Sequence, residues 1–402
     1  MLLASRLLSF PIFKGFERGV GRTFPKVLPT KISMGENIKL PSMQPLLSWY
    51  EENKRDLPWR HTRDPYRIWV SEIMLQQTRV EAVIRYYERF LARLPDVAAL
   101  AACPEEELLK LWEGLGYYSR VRNMQRAAKE IVAAHGGVFP CTFDEIRALP
   151  GIGEYTAGAI GAFAFDLPVP AVDGNVLRVV ARLCHYSEDV LTPAARRTVT
   201  EAVRAAIPPT RAADFGQALI ELGAIVCLPN GAPKCEACPL AADCKALACR
   251  AVYVLPVRKK AAPRKIEQRT VLILREGECI ALRRRPAKGL LAGLFEPPCL
   301  SGEVTREALG NLLAAYGITP LYLTPLEQAK HIFTHLEWHM QGFEVILAPG
   351  DAAKLQKTPA NGSQNAENGQ GLPVDGLFFA PREEIDGKYA LPSAYAAYRP
   401  YM

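Results

Sequence analysis

This 402-residue chain has no apolar run long enough to cross a bilayer. The longest candidate, Ala157 to Val172, is interrupted by Asp166, Pro168 and Pro170. No membrane contact is expected. The chain also lacks the polar bias of disordered proteins: 49% of its residues are hydrophobic and 23% charged. It has no large excess of either charge. The net value of +7 permits a polyanion partner without requiring one. Ten cysteines are present, but not as a disulfide framework. Six are scattered singly through apolar segments of a chain large enough to bury a core. A reducing, cytoplasmic interior is the expected setting.

Residues 43 to about 250 show no convincing run of strands. They read as helix after helix. Tyr66 to Leu94 is expected to be one long helix, capped by Asp64 and opened by Pro65. Ile68, Trp69, Ile73, Val80, Val83, Ile84, Tyr87 and Leu91 recur on it at three- and four-residue steps. Ahead of this region, 1–42 carries basic and scattered apolar residues. A transit-like presequence fits, but the plainer reading is preferred, a disordered extension or a start codon placed too early, with Met34 and Met43 just upstream of the first expected helix. After Cys249 the texture changes. A basic, proline-bearing linker is expected over 251–268. An α+β domain is expected over 269–402, with strands at Arg269 to Leu274, Cys279 to Arg283 and Trp338 to Leu347. Its one helix is expected at Thr305 to Tyr316. The polar stretch Lys357 to Gln370 marks a flexible insertion, placed over 351–371.

Four cysteines stand close together as Cys227-x7-Cys235-x2-Cys238-x5-Cys244. Four thiolates in so short a span repel one another unless a cation holds them. Structural zinc usually takes two Cys-x2-Cys pairs, and only one exists here. A cubane [4Fe-4S] cluster accepts more varied spacings. Cys249 is read as an ordinary buried thiol.

Leu149-Pro150-Gly151-Ile152-Gly153 separates two helical stretches. The glycines allow tight turns, and the amides of Gly151 and Gly153, with the following helix start, can face a phosphate. That pattern fits a helix–hairpin–helix, which would hold a DNA backbone without reading sequence, although any αα-hairpin could use Pro-Gly. Two carboxylates accompany it. Glu72 lies beside Ile68, Trp69 and Leu75, an apolar setting that raises a carboxyl pKa and suits a general acid. A glutamate edging into solvent is the plain alternative. Asp173 precedes Gly174-Asn175-Val176 and a new helix. A simple N-cap explains it, and the cap also favours the ionised form. A protonated acid and a fixed anion form the pair that glycosidic cleavage needs.

The helices followed by the cysteine loop resemble the endonuclease III superfamily of DNA glycosylases. The usual first gap there is six residues, against seven here. Leu57-Pro58-Trp59-Arg60, Ser71-Glu72-Ile73-Met74-Leu75-Gln76-Gln77-Thr78, Trp112-Glu113-Gly114-Leu115-Gly116-Tyr117-Tyr118 and Val172-Asp173-Gly174-Asn175-Val176 resemble the MutY family of adenine DNA glycosylases. The likeness runs from about Gln44 to the chain end. It implies a mainly α helix–hairpin–helix glycosylase fold with a cluster loop, plus an α+β Nudix-like domain. It also implies a monomer acting on duplex DNA that contains a mispair, in a nucleoid-associated setting. The substrate implied is adenine opposite 8-oxoguanine or guanine. On the matching positions, Glu72 protonates the base and Asp173 stabilises the sugar cation, supported by Tyr155 and Asn175. Arg60 and Gln217 contact the extruded adenine, Trp59 and Leu75 line its pocket, and Gln77 and Tyr117 enter the stack. Lys234 lies near phosphates. Where strand-cutting relatives carry a lysine, this chain has Tyr155, so base removal without efficient strand cleavage is expected.

Gly289 to Ile318 resembles a Nudix segment without its acidic residues. The places counted back from Gly317-Ile318 hold Gly310, Asn311, Ala314 and Ala315. Magnesium-dependent hydrolysis is not expected. By resemblance this domain checks the opposite strand for 8-oxoguanine, with Phe333-Thr334-His335 at the position of the family's Phe-Ser-His loop. Leu291 stands where the family often has tryptophan. His331, His335 and His339 fit a strand or loop better than a metal site. Two rivals remain: a glycosylase for another mismatched base, such as thymine opposite guanine, and a non-catalytic lesion-binding or redox-sensing DNA protein.

Overall fold

The computed structural model describes residues 38–259, 263–357 and 371–402. Most of the expected N-terminal extension, and 358–370 of the expected insertion, lie outside the described residues. Ile38 and Leu40 are buried with Leu46 and Val180, so the last part of 1–42 belongs to the helical core.

The helical part begins with α1 (Gln44–Asn53), α2 (Pro65–Met74), α3 (Val80–Arg93), α4 (Val97–Ala102), α5 (Glu105–Leu111) and α6 (Ser119–His135). It continues with α7 (Phe143–Ala148), α8 (Glu154–Phe165), α9 (Gly174–Leu183), α10 (Pro193–Ala206), α11 (Ala212–Ile225) and α12 (Lys245–Ala248). Side-chain caps define several starts. Asp64 accepts from Tyr66 N, Asp96 from Ala99 N, and Thr142 from Glu145 N. Among the described residues two large cores result. One joins α2 to α8 around Trp69, Phe90 and Trp112. The other joins α1, α9, α10 and α11 around Leu46, Val180 and Phe215.

The expected single helix over Tyr66 to Leu94 is instead two, α2 and α3. The physical reason lies in a distant arginine. Arg120 Nη1 donates to Ile73 O at 2.6 Å and to Gln76 O at 2.8 Å. These are carbonyls a continuing helix would use. Gln77 then takes a left-handed φ of 60° and redirects the chain.

The second part is a seven-stranded mixed sheet. Its strands are β1 (Lys265–Glu276), β2 (Cys279–Arg284), β3 (Phe295–Glu296), β4 (Cys299–Ser301), β5 (Tyr322–Ile332), β6 (Leu336–Ile346) and β7 (Leu377–Pro381). The main path runs β3-β2-β1-β6-β5, with β4 pairing β1 and β7 pairing β2. β1 and β6 are parallel from Lys265 opposite Leu336 to Arg275 opposite Ile346. The expected helix is α13 (Arg306–Ala315), capped by Thr305, and it covers one face of the sheet through Leu309 and Leu313. Among the described residues two further helices are α14 (Asp351–Gln356) and α15 (Arg382–Lys388). β1 begins inside the stretch expected to be linker, and α14 lies inside the expected insertion. Val252 and Leu255 pack with Ala246, while Leu355 joins the sheet core, so burial holds these described parts of both segments in place. Among the described residues no helix is long and apolar enough to cross a membrane.

The two parts are in contact. Glu113 accepts from Leu391 N and pairs with Arg399, and Lys110 donates to Tyr389 O. Arg122 Nη2 donates to Ala292 O at 2.7 Å. Leu291, at a left-handed φ of 56°, packs against both the helical core and the sheet core.

Candidate active site and cysteine loop

A cleft of about 920 Å³ separates the two helical cores. Trp59, Arg60, Glu72, Leu75 and Gln77 line it from one side. Tyr155 lines it beside Glu72, Asp173, Asn175 and Gln217 line it from the other side, and Gly151 and Gly153 also border it. Residues separated by up to 158 positions in sequence thus share one cavity.

Glu72 is buried, 6% exposed, on the last turn of α2. Tyr155 OH donates to its Oε2 at 2.6 Å. Burial pushes the Glu72 carboxyl up to about 7; the Tyr155 hydrogen bond opposes that rise and the nearby Asp173 charge adds to it. The rise agrees in direction with the sequence expectation. The Tyr155 hydroxyl is itself raised well above its usual range by burial, so it remains a neutral donor.

Asp173 is the N-cap of α9 and accepts from Asn175 N and Val176 N, each at 2.8 Å. Asn175 Nδ2 donates to Asp173 Oδ2 at 2.6 Å. Two expectations need correction. Tyr155 contacts Glu72, while the hydrogen bonds to Asp173 come from Asn175 and Val176. The cap also does not dominate the Asp173 pKa: burial raises it, outweighing the hydrogen bonds and the Arg178 charge that lower it. Asn175 is held in turn. Arg178 Nη2 donates to Asn175 Oδ1 at 2.9 Å and to Gly223 O at 2.8 Å, and its Nε donates to Cys227 O at 2.7 Å. Gly223 permits this packing because a Cβ there would fall 2.6 Å from Asn175 Cβ.

Sequence reasoning missed the group that holds Arg60. Glu221 on α11 is fully buried. It accepts from Arg60 Nη2 at 2.7 Å and from Arg55 Nη2 at 2.8 Å. The two guanidinium partners overcome its burial and hold its carboxyl down to about 2. Gln217 Oε1 accepts from Tyr50 OH at 2.9 Å. The available signal was a lone charge in the apolar stretch Ala218-Leu219-Ile220-Glu221-Leu222. Such a residue is buried only when paired.

Gln77 and Tyr117 are exposed on two facing turns, and both have left-handed φ values, 60° and 44°. Tyr117 OH lies 2.7 Å from Thr334 Oγ1, joining the helical part to the turn between β5 and β6. Phe333 packs edge-on against Trp338, and His335 is exposed. The three histidines do not converge. His331 pairs with Trp338 across the strands, whereas His339 pairs with Lys330, which places them on opposite faces.

The hairpin joins α7 to α8. Gly151 has φ 76° and sits so close to α6 that a Cβ would fall 2.5 Å from Asn123 Cβ. Only glycine meets both demands. Gly153 caps α8, and both glycines are exposed.

Cys227, Cys235, Cys238 and Cys244 are free, half-buried thiols around one small cavity, with Arg182 and Leu247. Lys234 N donates to Val226 O at 3.0 Å, so the seven-residue gap loops out and returns Cys235 beside Cys227. Arg182 Nη1 donates to Cys227 Sγ at 3.3 Å, and burial, with a smaller contribution from the neighbouring thiols, raises the pKa values of Cys235, Cys238 and Cys244. Among the described residues no three His, Cys, Asp or Glu side chains are arranged to hold a single metal ion. Four soft donors around a shared cavity, with an arginine at one sulfur, instead fit a larger anionic sulfur-bridged cluster. Cys249 lies outside this group and is exposed, because it ends α12 on the solvent side; the buried thiol expected there is not found. Lys234 is exposed beside the loop.

The chain matches the HhH-GPD superfamily of base excision DNA repair proteins over residues 70–205, and a NUDIX domain over 269–398. Fold and cleft together define a helix–hairpin–helix base-excision repair protein with a Nudix domain. Adenine DNA glycosylase of Rattus norvegicus is 35% identical over 361 residues, covering 75% of this chain and 70% of its own. Adenine DNA glycosylase of Buchnera aphidicola subsp. Baizongia pistaciae is 34% identical over 308 residues, covering 76% and 86%. A solved thermostable thymine-DNA glycosylase is 28% identical, covers 51% of this chain and 94% of its own, and has a TM-score of 0.46. Within its class the chain belongs to the adenine DNA glycosylases.

Proposed function

We propose that this chain removes adenine from duplex DNA by hydrolysing its N-glycosidic bond, where adenine is mispaired with 8-oxoguanine or guanine. The observation that carries the reading is Glu72: a buried carboxyl, pushed up to about 7, in the same cleft as the capped Asp173. Tyr155 OH occupies Glu72 Oε2, which leaves the other oxygen to carry the acidic proton toward the cleft. That proton goes to N7 of the extruded adenine. The C1′–N9 bond then breaks with its electron pair leaving on the base. Asp173, ionised and held by Asn175 and Val176, stabilises the positive sugar carbon. Water adds at C1′ and loses a proton, giving free adenine and an abasic site. Trp59 and Leu75 form the walls of the base pocket, and Arg60 and Gln217 its polar edge.

Gly151, Gly153 and the start of α8 hold the DNA backbone, and Gln77 and Tyr117 fill the gap the base leaves. The turn carrying Phe333, Thr334 and His335 reads the opposite base, a role supported by its contact with Tyr117. Cys227, Cys235, Cys238 and Cys244 hold a [4Fe-4S] cluster. When bound it cross-links the loop that presents Lys234, and no reaction step passes through it. The protein acts as a monomer. The test is a duplex panel with adenine opposite 8-oxoguanine, adenine opposite guanine, and thymine opposite guanine. Adenine release from the first two, with strand breaks only after alkali, is expected. Thymine release, or nicking without alkali at the rate of base release, would refute it.

A further inference from the structure

Arg120, on the first turn of α6, is bound in an unusual way. Nη1 donates to Ile73 O at 2.6 Å and Gln76 O at 2.8 Å. Nη2 donates to Leu115 O at 2.9 Å and Gly116 O at 3.4 Å. The guanidinium carbon lies 5.4 Å from the Tyr117 ring centre and 5.6 Å from that of Trp112. No carboxylate is among these contacts, and among the described residues its buried Nε has no partner. Burial pushes the guanidinium down to about 10. A cation satisfied only by neutral carbonyls is a costly way to join two turns if mere packing were needed. Only a planar fork reaches all four carbonyls at once.

The carbonyls come from two turns. Ile73 and Gln76 precede Gln77, and Leu115 and Gly116 precede Tyr117. Both of these residues hold left-handed backbones that side-chain-bearing residues resist. We propose that Arg120 is the positioning residue that fixes the Gln77 and Tyr117 turns in the shape that enters the DNA stack and keeps adenine extruded. The inference rests on the roles given to Gln77 and Tyr117 under the proposed function. Arg120 itself touches neither base nor sugar. It acts by keeping both turns preformed, so that DNA binding does not have to order them.

The experiment uses Arg120→Met and Arg120→Lys, with the parent, Gln77→Ala and Tyr117→Ala alongside. Each is given adenine opposite 8-oxoguanine, once in a closed duplex and once beside a short unpaired bubble. A 2-aminopurine next to the adenine reports unstacking by fluorescence, and single-turnover excision is followed. Arg120→Met is expected to lose about tenfold or more on the closed duplex, with the fluorescence rise, and to lose little beside the bubble. Arg120→Lys keeps the charge but not the fork, and is expected to fall between Arg120→Met and the parent. Equal losses on both substrates, in either Arg120 variant, mean a general structural defect and overturn the inference. So does an Arg120→Met variant that unstacks the closed duplex like the parent while Gln77→Ala and Tyr117→Ala do not. If those two variants match the parent on the closed duplex, the wedge roles themselves are wrong.

Discussion

Replacing Glu72 with glutamine tests the buried acid without touching DNA. In the folded protein the Glu72 carboxyl sits at about 7, against 4.5 for the free group. Between those values the folded state holds a proton that the unfolded chain has released. Stability therefore falls as pH rises from 4.5 through 7, and the loss is complete above 7. A difference of about 2.5 pH units corresponds to about 3 kcal/mol at pH 8, and to nothing below pH 4.5. Glutamine keeps the shape and can still accept from Tyr155, but it never ionises. Glu72→Gln is therefore expected to gain about 3 kcal/mol relative to the parent between pH 4.5 and pH 8. Urea denaturation followed by the fluorescence of the core tryptophans Trp59 and Trp69 measures the difference at each pH. A stability difference that does not change with pH, or that favours the parent more at pH 8, would refute the reasoning.

Two other perturbations follow from the geometry. Gly151→Ala adds a methyl 2.5 Å from Asn123 Cβ at φ 76°, and should cost about 2 kcal/mol or more of stability while weakening binding to any duplex equally. Thermal unfolding and a binding titration on matched and mismatched duplexes check both parts. Cys238→Ser should remove iron and acid-labile sulfide from the purified protein and weaken DNA binding, whereas Cys249→Ser, at an exposed thiol outside the cavity, should change neither. Metal analysis reads the first and the same titration the second.

The parts of the site that were legible in sequence are those built from neighbouring residues. Asp173 announces its cap through Gly174-Asn175-Val176, and the hairpin shows in Pro150-Gly151-Ile152-Gly153. The single pair Cys235 and Cys238 set the cysteine loop apart from zinc knuckles. What stayed hidden depends on partners far along the chain. Arg120 binds carbonyls 44 and 47 residues away, and backbone oxygen has no sequence signature. The same contact split the expected long helix. Glu221 reaches Arg55 across 166 residues, so only its apolar neighbours hint at burial. Tyr155 was visible as a residue lacking an amine, but its bond to Glu72 spans 83 positions. In the sheet, β5 was missed because it is largely exposed, interrupted by Pro325, and shows no clean apolar alternation. The helix α13 was found because Thr305 caps an amphipathic run.

Single-turnover release of adenine opposite 8-oxoguanine, followed from pH 5 to 9 for the parent, Glu72→Gln and Asp173→Asn, addresses the central claim. A protonated Glu72 beside an ionised Asp173 predicts a parent rate that falls as pH rises through about 7. Both variants should be slower by about 10²-fold or more below pH 7, and the Glu72→Gln gap should narrow above pH 7 as the parent loses its proton. A parent rate that keeps rising above pH 7, or a Glu72→Gln rate within about threefold of the parent below pH 7, would contradict the account.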